Sequence, residues 1–557
     1  MLIVDLNKVN FEYDVQALVR AFYPQEQVYV LTPETRADRR RELEGDTRIK
    51  CMILEDGALL TLDGILHRYW WPDKYRDKEE PSVNSLLVSQ TEKKDGGTMD
   101  APAEKERSIT PDMLAGKERS ITPDMLAEKD GSIALGVLAK KEGNASQNVP
   151  LAKDFKNGFK RFLYNALSEA TGKTLPWGNL TGIRPTKMAY GMLEQGNSDQ
   201  SILNFYKNNH YVSSEKAALS LEIAKRERGI LSCIHYEGGY SLYIGIPFCP
   251  TTCLYCSFTS FPIAGYRDLV DKYLDCLIRE MEQISTFMRG QILDSVYIGG
   301  GTPTTLEPRQ LDRLLAKLKN LFDFSTVQEF TVEAGRADSI TEEKLKVLFS
   351  YGVSRISVNP QTMKQETLDI IGRRASVEQV EQAFALARRV GFDNINMDLI
   401  LGLPGELEAD VQHTIDRVTA LAPDSLTVHS LAIKRASKLN QWIQEKGIAM
   451  LHNTDETMTI AAEGARRLGL VPYYLYRQKN MSGNFENVGY AKEDKLGLYN
   501  ILIMEEVQTI VALGAGSITK RVHPDGVIER CENVKEVVQY IERIDEMIER
   551  KRVLFSD

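Results

Sequence analysis

Cysteine is scarce in this sequence, and the marks of an exported or membrane-spanning chain are missing. The 557 residues contain seven cysteines, and an odd number without a secretory leader does not predict a disulfide framework. Asp5 and Asn7 stand where a leader needs an apolar core. No apolar run approaches the length needed to cross a bilayer. We therefore expect a cytoplasmic protein with four isolated cysteines that stay reduced as packed or incidental thiols: Cys51, Cys233, Cys276 and Cys531.

The sequence also lacks an excess of positive charge. Its formal net charge is −9 at pH 7 and its isoelectric point is about 5.6. This balance argues against a protein that is held on nucleic acid by phosphate contacts. With 43% hydrophobic and 26% charged residues, the chain can bury a large core and is long enough for two or three domains.

The chain begins with two segments of contrasting composition. Residues 1–78 alternate strand-like and helical patterns and predict a small α+β module, with a hairpin that turns at Asp56-Gly57. Residues 79–150 are polar and carry a tandem duplication, in which residues 117–127 repeat residues 105–115 letter for letter. Their polarity predicts a solvated insertion without a core, and a linear motif that binds a partner is the alternative.

Residues 151–235 predict a helical connector that completes the amino-terminal region, because apolar residues recur there at helical spacing. Within it, residues 177–187 place a tryptophan between turn-forming residues and an Arg-Pro pair. This stretch is either the ordered seam between two domains or a loop that faces a ligand.

Residues 236–470 alternate strands and helices and predict an α/β domain, and residues 471–557 predict an extension that closes it. The alternation implies a parallel sheet with right-handed crossovers, and six such units are fewer than a complete eight-unit barrel. Polar and glycine residues fall at the carboxyl ends of the strands, where parallel barrels carry out their chemistry. The predicted strands are residues 242–246, 295–298, 329–333, 355–358, 395–400 and 426–428.

Three cysteines follow the first of these strands at C-x3-C-x2-C spacing: Cys249, Cys253 and Cys256. Thiolates are the usual ligands of iron–sulfur clusters, and a four-iron cluster normally takes four. Three thiolates leave one iron open to a small molecule, much as catalytic zinc sites keep a free position. A structural zinc site is the alternative, but no other cysteine pair stands at the C-x2-C spacing that would complete it.

Further polar groups stand after the next strands. Gly299-Gly300-Gly301-Thr302 lets the backbone approach a ligand closely, and no Gly-Lys-Ser/Thr follows that would make it a phosphate-binding loop. Glu333 ends the third strand, where its carboxylate could accept both hydroxyls of a ribose or could pair with a nearby cation. Gln361, Arg373 and Asp398 follow or end later strands.

Over residues 240–435 these motifs, in this order, resemble those of the radical S-adenosylmethionine (SAM) enzymes. The resemblance is most specific to the oxygen-independent coproporphyrinogen III oxidase group, and in particular to its longer dehydrogenase-like members. It implies a partial (β/α)6 barrel, a [4Fe–4S] cluster and SAM as cofactors, a tetrapyrrole substrate, and an electron donor such as flavodoxin or ferredoxin. The implied reaction is the oxidative decarboxylation of coproporphyrinogen III to protoporphyrinogen IX.

The resemblance also assigns site residues. Cys249, Cys253 and Cys256 would hold the cluster. The SAM contacts would run from its methionine end through its amino group to its ribose, carboxylate and adenine: Tyr243, Tyr255, Gly300, Gly301, Thr302, Glu333, Gln361, Arg373, Asp398 and Ala432.

Two departures from the oxidase pattern leave the substrate open. Ser257-Phe258 follow the third cysteine, where the oxidases have a further cysteine, and this ending resembles haem-chaperone relatives. Residues 472–557 lack a clear copy of the oxidases' substrate-covering domain, although residues 513–517 resemble the last barrel element. The alternatives are therefore a haem-binding protein or another radical SAM reaction on a tetrapyrrole.

Three more side chains near the predicted barrel mouth could serve a tetrapyrrole. His429 could donate to a propionate, act as an axial haem ligand, or simply pack the mouth of the barrel. Lys434 and Arg435 could pair with carboxylates or could be solvated.

Overall fold

The structure is a computed structural model. It describes residues 2–24, 26–35, 47–54, 57–70, 149–182, 184–433, 437–447, 450–478 and 485–556. The predicted insertion therefore lies outside the described residues up to residue 148, as do Lys434 and Arg435. Over the described ranges, no helix combines the length and the apolar character required of a membrane span.

The amino-terminal module is a five-stranded sheet. Its spatial order is β2-β1-β3-β4-β5, with β1 parallel to both neighbours and two antiparallel hairpins beyond it. The β3–β4 hairpin was predicted. The strands are β1 Leu2–Leu6, β2 Val28–Leu31, β3 Thr47–Ile53, β4 Gly57–Leu62 and β5 Ile65–Trp70, and the first two are joined through helix α1, Glu12–Phe22.

A helix from beyond the insertion completes this module. Helix α2, Val149–Thr171, buries Phe159 and Leu167 in one core with Val4 and Leu60 of the sheet. The ring of Phe159 also packs edge-on against Phe11, with centroids 5.1 Å apart. The apolar face that predicts this helix therefore covers the amino-terminal sheet.

Three connector helices follow and pack on the larger domain: α3 Thr186–Glu194, α4 Asp199–His210 and α5 Ser214–Leu231. The last two begin at serine N-caps, whose hydroxyls accept hydrogen bonds from backbone N–H groups three residues on.

The tryptophan stretch is a seam between the connector and the larger domain. Trp177 has no exposed surface, and its indole N–H donates to Glu486 Oε2 at 2.6 Å. Arg184 pairs with Glu506 at 2.8 Å. Because both contacts reach the C-terminal part of the chain, this stretch joins two regions, as the seam interpretation predicts.

The larger domain is built on one eleven-stranded sheet. Its order is β14-β15-β13-β12-β11-β10-β9-β6-β16-β17-β18, and the seven strands from β13 to β16 run parallel. All six predicted strands are present, so the predicted partial barrel is confirmed. The parallel strands are β6 Gly239–Ile246, β9 Ile292–Gly300, β10 Glu329–Gly335, β11 Arg355–Val358, β12 Ile395–Leu401, β13 Ser425–Ser430 and β16 Thr509–Leu513.

The C-terminal extension supplies both edges of this sheet. Strand β16 adds a seventh parallel strand beside β6, as the glycine-rich resemblance at residues 513–517 implies. The remaining edge strands are antiparallel: β14 Val471–Tyr476, β15 Asn487–Ala491, β17 Ile518–Val522 and β18 Ile528–Glu532. A two-residue pair, β7 Phe248–Cys249 and β8 Phe261–Pro262, stands apart from it.

Helices cover the sheet, and most of its apolar side chains lie in one large core. A second, smaller cluster contains Tyr473, Ala491 and Ile510 of the sheet. The starts of the helices are encoded locally: α7 opens with Pro308 after a Glu307–Gln310 capping box, and α10 opens after a Ser376–Gln379 box. The helices are α6 Val270–Phe287, α7 Pro308–Leu321, α8 Glu342–Ser350, α9 Gln365–Ile370, α10 Val377–Val390, α11 Glu408–Leu421, α12 Lys438–Lys446, α13 Asp455–Arg467, α14 Leu498–Glu505, α15 Val537–Glu542 and α16 Ile544–Leu554.

Candidate active site

The cysteine loop leaves the carboxyl end of β6 and is anchored on three sides. The short β7–β8 pair closes it, and Phe261 N–H donates to the Pro247 carbonyl at 2.8 Å. Thr302 N–H donates to the Phe248 carbonyl at 2.7 Å, and Leu254 N–H to the Ile371 carbonyl at 3.0 Å. Backbone contacts thus hold the loop against the ends of neighbouring barrel units.

The Cys249 thiol is close enough to the other two for their charge to affect its pKa. The pKa of the Cys249 thiol is raised to about 11, chiefly by burial and in smaller part by the neighbouring Cys256 and Cys253, against the opposing effect of the Thr302 hydrogen bond. A hydroxyl lies beside each outer sulfur: Thr302 Oγ1 is 3.4 Å from Cys249 Sγ, and Ser260 Oγ is 3.5 Å from Cys256 Sγ. Hydrogen bonds to sulfur are among the features that tune a bound iron–sulfur cluster.

The described residues do not place these thiols as the ligands of a single metal ion. In the part of the chain that the structure describes, no three His, Cys, Asp or Glu side chains gather closely enough to hold one metal ion. A four-iron cluster makes a different demand, because each cysteine binds a different iron atom. The arrangement gives no support to the zinc alternative.

The glycine segment, residues 299–301, packs closely against other parts of the protein. A Cβ on Gly301 would lie 2.5 Å from the Phe248 carbonyl oxygen, inside the cysteine loop. A Cβ on Gly299 would lie 3.0 Å from the Glu333 carboxylate, and Gly300 has φ +106°. The segment was expected to approach a ligand, and the structure adds that its glycines let β9 pack against the cysteine loop and Glu333.

Glu333 lies where β10 ends and carries a strongly perturbed carboxyl group. Its Oε1 accepts a hydrogen bond from the Tyr297 hydroxyl at 2.5 Å. The pKa of Glu333 is raised to about 7, chiefly by burial and also by the negative charge of Asp398, against the opposing effect of the Tyr297 hydrogen bond. The carboxyl group is therefore poised between its neutral and ionised forms near neutral pH.

Three stacked tyrosines line the barrel beside Glu333. Tyr297 and Tyr499 have ring centroids 4.4 Å apart, and Tyr243 stacks on them at 6.2 Å and 6.0 Å. Tyr243 was predicted, whereas Tyr297 and Tyr499 were not. Tyr297 follows from strand periodicity, since it alternates with Val296 and Ile298 on β9. Tyr499 comes from helix α14, 202 residues away along the chain, and carries no such signal.

Two predicted residues, Arg373 and Tyr255, meet on the other side of the loop. The Arg373 guanidinium donates to the Tyr255 hydroxyl at 3.2 Å and to the Asn359 carbonyl. Among the described residues, Arg373 Nε and Asn359 Oδ1 are buried without a hydrogen-bond partner. Buried polar atoms are rarely left unpaired, so this corner offers a donor and an acceptor to a bound ligand.

Gln361 and Asp398 meet where β11 and β12 end. Gln361 has φ +71°, a left-handed conformation that is uncommon for a residue other than glycine. Its N–H donates to the Asp398 carbonyl and its carbonyl accepts from Ile400 N–H, both at 2.9 Å. The Asp398 carboxylate accepts from Asn396 Nδ2 at 2.7 Å.

His429 stands at the end of β13, in surroundings that favour its neutral form. Burial lowers the pKa of His429 below its ordinary value, and the Tyr476 hydroxyl lies 3.3 Å from Nδ1. Ala432 follows two residues beyond this strand, and its placement beside adenine stays a prediction. Lys434 and Arg435 lie outside the described residues.

Comparison with known proteins gives one family match and several relatives. A family model described as the Radical SAM superfamily matches residues 243–418. The oxygen-independent coproporphyrinogen-III oxidase-like protein HemZ of Bacillus subtilis is 41% identical over 404 residues, which cover 72% of this chain and 81% of that protein. The haem chaperone HemW of the same organism is 39% identical over 197 residues, covering 35% of this chain and 51% of its own.

One solved structure is the coproporphyrinogen III oxidase HemN of Escherichia coli. It is 23% identical, with a TM-score of 0.46, over 57% of this chain and 72% of its own. Since the similarity to HemZ covers most of both chains, the chain belongs to the radical SAM superfamily, in the group of oxygen-independent coproporphyrinogen-III oxidase-like proteins, and its cofactors are a [4Fe–4S] cluster and SAM.

Proposed function

We propose that this protein uses SAM and a [4Fe–4S] cluster to decarboxylate coproporphyrinogen III oxidatively, forming protoporphyrinogen IX. The observation that carries the proposal is the meeting of three groups at one end of the barrel. They are the three thiols, the paired Tyr255 and Arg373, and the perturbed carboxyl of Glu333. The similarity to HemZ over 81% of that protein supports the substrate.

Each of these groups has a distinct task. Cys249, Cys253 and Cys256 would hold the cluster, and the bound cofactors would supply one-electron cleavage of the SAM sulfonium. The Arg373 cation would receive a carboxylate. The ionised Glu333 carboxylate would accept hydrogen bonds from ribose hydroxyls.

The barrel wall adds exclusion of water and recognition of the substrate. The stacked rings of Tyr243, Tyr297 and Tyr499 form an apolar wall beside Glu333 that keeps water from the reacting carbon. His429, neutral and held at Nδ1 by Tyr476, would donate from Nε2 to a propionate of the substrate.

The test is anaerobic turnover by reconstituted protein with SAM, a strong reductant and coproporphyrinogen III. We expect 5′-deoxyadenosine and two successive product masses, each lower by carbon dioxide and two hydrogens. Replacing the three loop cysteines by alanine should abolish both. Cys276→Ala is the matched control, because it removes a buried thiol outside the loop. A protein with its full iron content that makes no 5′-deoxyadenosine would defeat the proposal.

Haem binding is the second candidate function. It is favoured by Ser257-Phe258 and by the Phe258 side chain, which is 76% exposed next to the cysteine loop. The neutral His429 would be the axial ligand. Stoichiometric haem binding that His429→Phe abolishes, with no conversion of coproporphyrinogen III, would favour this candidate over the oxidase.

A further inference from the structure

One cationic side chain beside the cysteine loop has no part in the functions described so far. Arg336 follows β10 and is 4% exposed. Its Nη1 lies 3.7 Å from Cys253 Sγ, and it donates to the Thr251 hydroxyl and carbonyl at 2.8 Å and 3.1 Å. A guanidinium therefore contacts both the loop backbone and a sulfur that is predicted to bind iron.

The other edge of the same guanidinium is held rigidly. Nε and Nη2 donate to the two carboxylate oxygens of Asp338 at 2.9 Å and 2.7 Å. This two-point geometry fixes the plane of the guanidinium, which a lysine could not do. The direction in which Nη1 points is thus determined by the protein before any cluster is bound.

The backbone at the end of β10 explains why Glu333 and Arg336, only three residues apart, point to different places. The pairing register of β10 with β11 shifts between Val332 and Gly335, and Gly335 has φ +61°. After this irregularity the chain turns away from the strand. The turn is held by a hydrogen bond of 2.7 Å, which the Asn359 N–H donates to the Gly335 carbonyl. As a result Glu333 lies beside Tyr297, whereas Arg336 contacts the cysteine loop.

We propose that Arg336 raises the reduction potential of the cluster held by the three cysteines, acting as a fixed positive charge and hydrogen-bond donor at Cys253. Reduction adds one electron from an external low-potential donor and makes the cluster more negative. A cation and an N–H beside a ligand sulfur stabilise that reduced form, because net charge and hydrogen bonds to sulfur set the potential. The inference rests on the proposed function in that it requires the cluster at these cysteines.

The experiment is a redox titration of the reconstituted cluster, followed by electron paramagnetic resonance without SAM or tetrapyrrole. We expect Arg336→Gln to lower the ratio of reduced to oxidised cluster at a fixed potential by about tenfold, or about 59 mV for a one-electron couple. Asp338→Asn should shift the potential upward, because it removes a negative charge while Thr251 still holds the guanidinium.

A matched control separates charge at the sulfur from loosening of the turn. Lys344 is 8% exposed and donates to the Ser339 and Thr304 carbonyls at 3.2 Å and 2.7 Å. Lys344→Met therefore removes a buried cation that braces the same turn but has no bond to the cysteine loop. Its effect on the potential should be much smaller than that of Arg336→Gln.

Equal shifts in Arg336→Gln and Lys344→Met, or no shift in Arg336→Gln, would overturn the inference. If Arg336→Gln cannot hold iron, Asp338→Asn decides: an upward shift supports the inference, and an unchanged or lower potential overturns it. A wild-type protein that takes up no cluster would refute this inference and the proposed function together. A loaded cluster with a normal titration but no turnover of coproporphyrinogen III would refute the proposed substrate alone.

Discussion

Replacing Lys551 by methionine tests the buried ion pair that fastens the C-terminal helix to the barrel. Lys551 on α16 and Glu280 on α6 have no exposed side-chain surface, and Nζ lies 2.6 Å from Oε1. The same carboxylate accepts hydrogen bonds from Asn533 Nδ2, the Tyr540 hydroxyl and Gly514 N–H at 2.8 Å, 2.6 Å and 2.9 Å. Removing the lysine would leave a buried, hydrogen-bonded carboxylate without its cation.

We expect Lys551→Met to lower the free energy of unfolding by about 3–5 kcal/mol, because one charge of a buried pair is left uncompensated. Methionine fills most of the volume of the lysine stem, so a cavity contributes little to this loss. Adding Glu280→Gln should recover part of the stability, because glutamine keeps an acceptor and removes the charge. Equilibrium urea unfolding, followed by far-ultraviolet circular dichroism, measures both variants against wild type.

The same helix offers a matched control. Arg552 pairs with Glu549 at 2.6 Å, but both side chains are 55% exposed. Arg552→Met therefore removes a cation from α16 without stranding a buried charge, and exposed pairs contribute little. A Lys551→Met variant as stable as Arg552→Met would refute the reasoning, as would a double variant with Glu280→Gln that is less stable than Lys551→Met alone.

Burial holds the pKa of Glu333 at about 7, above its ordinary 4.5. Stability should therefore fall as pH rises from about 4.5 to about 7, and Glu333→Gln should flatten that part of the pH profile of the unfolding midpoint. Gly514→Ala should lose at least about 1–3 kcal/mol in urea unfolding, since φ is +91° and a Cβ would lie 2.5 Å from a backbone oxygen. Gly229→Ala, where a Cβ meets nothing within 4 Å, should gain about 0.5–1 kcal/mol. Deletion of residues 95–148 should leave the melting midpoint and the iron content unchanged, because their composition has no core-forming pattern.

The barrel could be predicted from sequence because its signals are local. Each parallel strand is a short run of buried residues followed by a helix. In β11, for example, all four residues from Arg355 to Val358 are buried. Cys249, Cys253 and Cys256 lie within eight consecutive positions, so their spacing alone indicates a shared site. The strand ends follow from the rule that parallel barrels place polar groups at one end.

The buried ion pair, the seam contact of Trp177 and the position of Arg336 could not be predicted, because they depend on how distant parts of the chain meet. Lys551 and Glu280 are 271 positions apart, and Trp177 and Glu486 are 309 apart. Neither pair leaves a periodic trace in the sequence. Arg336 stands three residues after Glu333, but only the turn at Gly335 sends it to the cysteine loop.

The charge of the candidate site indicates what kind of ligand it is built to receive. Asp398 is close enough to Glu333 for its negative charge to raise the pKa of the Glu333 carboxyl. A cationic ligand at this strand end would offset the repulsion between the Asp398 charge and an ionised Glu333, and so favour the ionised form. SAM is such a ligand, because it carries both an ammonium and a sulfonium group. Binding of SAM should therefore release a proton near pH 7 and tighten as pH rises through about 7. Calorimetric titrations of cluster-loaded protein in buffers of different ionisation enthalpy count that proton. Glu333→Gln should bind SAM without the release, and an unchanged proton count in that variant would show that another group titrates.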